Sequence, residues 1–171
     1  TVTAGSGVAA DNVTLTNTGL VSNVASVITN AYGPGNAQRV VLTADASGDA
    51  GGFQVASVHT SMPAAGTLMR IRCRASLEAG STGLRNITMR FTITAGGVPY
   101  QGDPLAGNNV GDSAAYSLGF SGLFFETTFA VPAGSITAAQ FILIGTFNAA
   151  GSATIDIAEL SCEQVDSLVA R

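Results

Sequence analysis

The sequence predicts an all-β domain: a two-sheet antiparallel β-sandwich, arranged as a jelly roll. Three observations carry this. Short runs alternate apolar and polar residues, glycines punctuate the chain between those runs, and no long segment keeps a helical period. An immunoglobulin-like sandwich is the second arrangement. It usually brings a core Trp, and this chain has none. The 171 residues fit one domain, with residues 1–12 and 164–171 as extended tails. At that size roughly 68–70% of the unfolded surface can be buried without disulfide or metal staples.

The elements follow in order. Strands are expected at residues 13–15, 24–29, 39–43 and 53–59. In residues 68–75, Met69, Ile71 and Cys73 fall on one face, and Arg70, Arg72 and Arg74 on the other, about 6–7 Å apart. In residues 86–94, Ile87, Met89, Phe91 and Ile93 oppose Thr88, Arg90, Thr92 and Thr94. In residues 124–131, Phe125, Thr127, Phe129 and Val131 oppose Phe124, Glu126, Thr128 and Ala130. Residues 136–140, after Pro132-Ala133-Gly134, are expected to form one helical turn. Phe141-Ile142-Leu143-Ile144 is apolar on both faces and belongs at a sheet centre, and residues 153–163 close the domain. The segment 95–122 is long for a connection and reads as a binding or covering loop, with Tyr100 and Tyr116 able to stack on a sugar or anchor an interface.

Charge narrows the function. Seven basic residues against eleven acidic ones give −4, and all seven are Arg. An acidic chain without a basic run is unsuited to phosphate backbones, so no nucleic acid is expected. No run of eighteen apolar residues exists, so no helix inserts into a membrane. The first residue is Thr1, and residues 1–10 lack the basic start and apolar centre of a signal peptide. A Lys-free, Gly/Ala/Ser/Thr-rich β domain suits an extracellular or virion surface. The triplets at Asn12 and Asn86 matter only in a eukaryotic secretory host.

The residues point away from catalysis. His59 is the single His, and no Gly-x-Ser-x-Gly elbow accompanies it. A carboxylate pair such as Glu126 with Asp112 is conceivable, but nothing in the spacing selects it. The Arg stripe is the sharpest feature. Arg72, Arg74, Arg90, Phe124 and Glu126 share a parity that would place them on the exposed face of one sheet. Glu126 and nearby acids would compensate the stripe as an ion-pair ladder. The functional reading is a face for a glycan, an acidic one included, or for a partner carboxylate, to which the Arg fork is suited. Cys73 and Cys162 fit a bridge or two buried thiols equally well.

Four stretches resemble carbohydrate-binding modules of the galactose-binding-like jelly-roll type, as also found on phage tail spikes, fibres and capsid surfaces. They are Gln38-Arg39-Val40-Val41-Leu42-Thr43, residues 66–75, Glu126-Thr127-Thr128-Phe129-Ala130-Val131-Pro132-Ala133-Gly134, and Ala153-Thr154-Ile155-Asp156-Ile157-Ala158-Glu159-Leu160. The resemblance implies a non-catalytic module of a secreted or virion surface protein. The ligand contacts expected are those read above from strand parity and the long loop: Arg72, Arg74, Arg90, Phe124, Glu126, Tyr100 and Tyr116. The resemblance also implies a structural calcium at Asp156, with Asp45, Asp49 and the loop at 48–52 adding oxygens. The chain departs from the pattern in lacking Trp, the usual sugar platform. The alternative is a structural virion protein, a capsid decoration or fibre domain, whose partners are copies of itself or a neighbouring virion protein.

Overall fold

In the strand from Asn36 to Ala44, buried Gln38, Val40, Leu42 and Ala44 alternate with half-buried Arg39, Val41 and Thr43. That period of two is the alternation a half-buried strand requires, and it recurs through the fold. The computed structural model describes residues 13–56, 64–96, 98–102 and 120–164. They form ten strands: β1 (Val13–Thr18), β2 (Ser22–Thr29), β3 (Asn36–Ala44), β4 (Ala50–Ala56), β5 (Leu68–Leu77), β6 (Leu84–Ala95), β7 (Val98–Gly102), β8 (Phe120–Ala130), β9 (Ile136–Phe147) and β10 (Gly151–Gln164). No helix occurs among the described residues.

The strands make two five-stranded sheets, in the orders β1-β4-β9-β6-β7 and β2-β3-β10-β5-β8. Every named pairing is antiparallel. The fold is an all-β sandwich of the jelly-roll type, as the sequence predicts. Phe53, Phe141, Leu143 and Phe147 of the first sheet meet Leu42, Cys73, Leu77 and Ile155 of the second in one core. Phe53 and Phe141 stack at 6.2 Å with their planes tilted by 46°, and burying each ring contributes about 1.5–3 kcal/mol. Asn23 of β2 ties the layers at one side: its Nδ2 donates to the carbonyls of Thr16 (2.7 Å) and Gly52 (2.9 Å). Gly52 itself permits the close approach of β4 to β9, since a Cβ there would lie 2.0 Å from the Leu143 carbonyl oxygen.

One local expectation is overturned and one is refined. Residues 136–140 do not make a helical turn; they begin β9, where Gln140 opposes Thr92 and Ile136 opposes Ala95. Local turn chemistry before them suggested a helix, but an extended β6 partner offers a full ladder. The segment 95–122 is not simply a connection. It contains β7, paired with β6 from Phe91 to Ala95, and the start of β8.

Candidate functional site

The second sheet presents an outer face built by β3, β10, β5 and β8. Register aligns its polar residues across strands: Arg39 opposes Asp156, which opposes Ser76, while Arg70 opposes Glu163. Arg39 grips Asp156 with two bonds, Nε to Oδ1 and Nη2 to Oδ2, both 2.8 Å, and reaches Glu78 at 2.8 Å. Those contacts raise the Arg39 pKa above its already high value. Arg70 donates from Nε to Glu163 Oε1 at 3.0 Å. The bond and the charge of Arg70 hold the Glu163 carboxyl below its usual range. Arg74 Nε donates to Glu159 Oε2 at 3.2 Å. An ion-pair ladder crosses this face, and β10 supplies three of its acids, Asp156, Glu159 and Glu163, none of which the sequence reading named for it.

Glu159 reaches Arg74 through a β-bulge. The β10–β5 register shifts between Ala158 and Ser161, and Glu159 adopts φ 54°, the left-handed region that side chains avoid. Such backbone costs of order 1 kcal/mol, so the surrounding pairing must hold it.

Aromatic rings flank the arginines. The Arg74 guanidinium lies 3.9 Å from the Phe124 ring centre and 5.4 Å from that of Tyr32; Arg72 lies 5.8 Å from Phe124. Phe124 remains 51% exposed and Tyr32 39%. Tyr32 comes from the β2–β3 turn. Asn30 shapes that turn: its Oδ1 accepts the Tyr32 N–H at 3.0 Å, and its own N–H donates to the Gly35 carbonyl at 3.1 Å. The Tyr32 hydroxyl then bonds to Ser76 Oγ at 2.9 Å and to Ser121 Oγ. These bonds, Ser121 first, lower its pKa. Gly122, at φ 62°, makes room for the ring, because a Cβ there would sit 2.8 Å from Tyr32 Cε1.

The expected site residues separate into groups. Arg72, Arg74 and Phe124 are brought together, and register places Glu126 opposite Arg72. Arg90 does not join them. It lies on β6, in the other sheet, opposite Ile142 of β9. Parity within a strand assigns a face but not a sheet, which is why the sequence grouped it wrongly. Tyr100 lies on β7, also in that other sheet. Tyr116, His59 and Asp112 lie outside the described residues. Tyr32 was not anticipated; its signal was an aromatic residue inside an Asn-x-x-Gly-Pro-Gly turn.

The calcium expectation is corrected. Both oxygens of Asp156 are taken by Arg39. Asp49 spends Oδ2 on the backbone N–H groups of Asp45 and Ala46, at 3.1 Å each. That turn follows Ala44, five residues along β3 from the Asp156 partner, or about 17 Å by strand rise. Among the described residues no three His, Cys, Asp or Glu side chains converge as a metal would need.

Cys73 is a fully buried thiol whose pKa burial pushes up to about 12. Register sets Cys162 opposite Ile71.

No family model matches the chain, and no curated protein does. Solved structures do. The chain is similar to a carbohydrate-binding module of the β-sandwich superfamily described for its promiscuous specificity, with TM-score 0.56 and 12% identity, covering 89% of this chain and 57% of that one. It is similar to the CBM22-1 xylan-binding domain of Paenibacillus barcinonensis Xyn10C, with TM-score 0.54 and 12% identity, covering 90% and 86%. It is also similar to the enzymatically active domain of bacteriophage CBA120 tailspike protein 4, with TM-score 0.51 and 16% identity, covering 91% of this chain and 20% of that one. The fold is therefore the β-sandwich of carbohydrate-binding modules.

Proposed function

We propose that this domain is a non-catalytic carbohydrate-binding module of a secreted or virion surface protein, and that it takes glycan on the outer face of the second sheet. The carrying observation is Phe124. It is a half-exposed ring backed on one side by Arg74, beside the anchored ring of Tyr32. Sugar rings stack on such surfaces through their C–H faces, and nearby guanidinium and carboxylate groups bond hydroxyls. Arg39, Arg70 and Arg74 are already engaged by carboxylates. An acidic sugar must compete with those partners, so stacking carries the reading more than charge. Likeness to carbohydrate-binding modules in fold supports it, and likeness to the tailspike supports a virion setting.

Affinity electrophoresis against a panel of soluble polysaccharides tests the reading. Retardation of the wild type, lost in Phe124→Ala, is expected. A wild type that no polysaccharide retards at low salt would overturn it. The second reading, a structural virion domain acting through self-association, draws on the charge-free edge described next.

A further inference from the structure

The two sheets end at the same side in β1 and β2, which Asn23 ties together. Neither strand contains a charged residue, a proline or a glycine. Among the described residues β2 is paired with β3 alone, in unbroken register from Ser22 to Thr29. The edge strands opposite differ. β7 is five residues long and contains Pro99; β8 contains Glu126 and shifts register against β5. Bulges, prolines, charges and brevity are the devices that keep sheet edges from pairing, and β2 has none of them. Val21 and Val27, two of the four exposed large hydrophobic residues described, lie at this edge.

We propose that β2 is a pairing edge through which two copies of this chain join, antiparallel about a two-fold axis, into one ten-stranded sheet. The occupant is argued from charge. Each copy carries −4, so two copies repel one another overall. Strands β1 and β2 themselves bring no charge against their own copies, and a two-fold places the same surface on both partners. An open chain of molecules would instead need β2 to accept β8 of the next copy, with Glu126 and a shifted register.

The geometry has a consequence for the outer face. A two-fold normal to the sheet leaves both outer faces on the same side. The two β8 strands then stand nine strand spacings apart, about 43 Å. Two Phe124 platforms on one surface would bind a polymeric glycan with avidity that neither has alone. That last step rests on the proposed glycan reading; the pairing does not.

The test is the mass in solution over a dilution series, measured by light scattering on the full chain. The wild type is expected at twice the monomer mass. Ser26→Lys, half-buried on the strand, sets like charges near the axis and is expected to give a monomer with the wild-type β circular dichroism spectrum. Val27→Lys, at an exposed position, is the second variant should the first fail to fold. A monomeric wild type, an open series of larger assemblies, or a folded Lys variant that stays dimeric would each overturn the proposal. A dimer that retains no glycan would overturn the glycan reading and leave the pairing standing.

Discussion

The Arg74 guanidinium sits 3.9 Å from the centre of the Phe124 ring, and the two residues stand opposite each other on β5 and β8. Glu159 fixes Arg74 from the other side. The cation therefore cannot drift from the ring without breaking an ion pair. A surface phenylalanine normally samples several rotamers, but this one has a charged neighbour that favours a single position.

Removing that ring tests the site directly. Phe124→Ala should lower glycan retention at least about tenfold, which is about 1.4 kcal/mol. The fold should lose only about 0.5–1 kcal/mol, the worth of an exposed cation–π contact. Affinity electrophoresis and a thermal melt of one preparation separate the two effects. Unchanged retention would sink the site.

Gly122 is the second test. An Ala there meets a left-handed φ and the Tyr32 ring together, at a cost of about 1–2 kcal/mol from the backbone alone. Tyr32→Phe removes only the hydroxyl bonds to Ser76 and Ser121, about 1 kcal/mol. Urea unfolding should rank Gly122→Ala as the more destabilised. The reverse order would show that the ring does not depend on the glycine.

Acid should weaken the ladder through Glu163. Arg70 holds its carboxyl below the ordinary value of 4.5. A depressed carboxyl contributes stability above that ordinary value, and the contribution is lost as pH falls through the lower folded value. Glu163→Gln should therefore be less stable than wild type at neutral pH, with the gap closing in acid. Urea midpoints across the acid range decide it. A gap constant with pH would mean that Glu163 acts by packing.

Cys73 should resist alkylation. Its thiol is fully buried, and a pKa of about 12 leaves almost no thiolate at neutral pH. Peptide mapping after iodoacetamide should find Cys73 unmodified in the folded protein and modified in urea. Labelling at equal rates in both states would contradict its place in the core.

Much of this was legible in the sequence because burial writes a period of two into a strand. The faces of Met69, Cys73 and Ala75 and the exposed place of Phe124 followed from alternation, and with them the neighbourhood of Arg72, Arg74 and Phe124. What alternation cannot encode is which sheet a strand joins, and Arg90 failed on that point. Asp156 showed the second gap: its carboxylate looked available until register set Arg39 across from it. Tyr32 was hidden because its position depends on a turn folding back over another strand pair, a contact between residues 44 and 89 positions apart.

The middle strand of each sheet is β9 or β10, and these are the last two of the described strands to leave a ribosome. Before they emerge, the chain can offer only four separate ribbons: β1 with β4, β2 with β3, β5 with β8, and β6 with β7. Two-stranded ribbons are marginal in water on their own. Synthesis thus runs well past residue 130 before any sandwich can close, and the apolar faces of the earlier strands wait exposed. Assembly of this domain is a single late condensation around residues 136–164. A nascent chain stalled short of them has ribbons but no core, and is a substrate for chaperones and proteases.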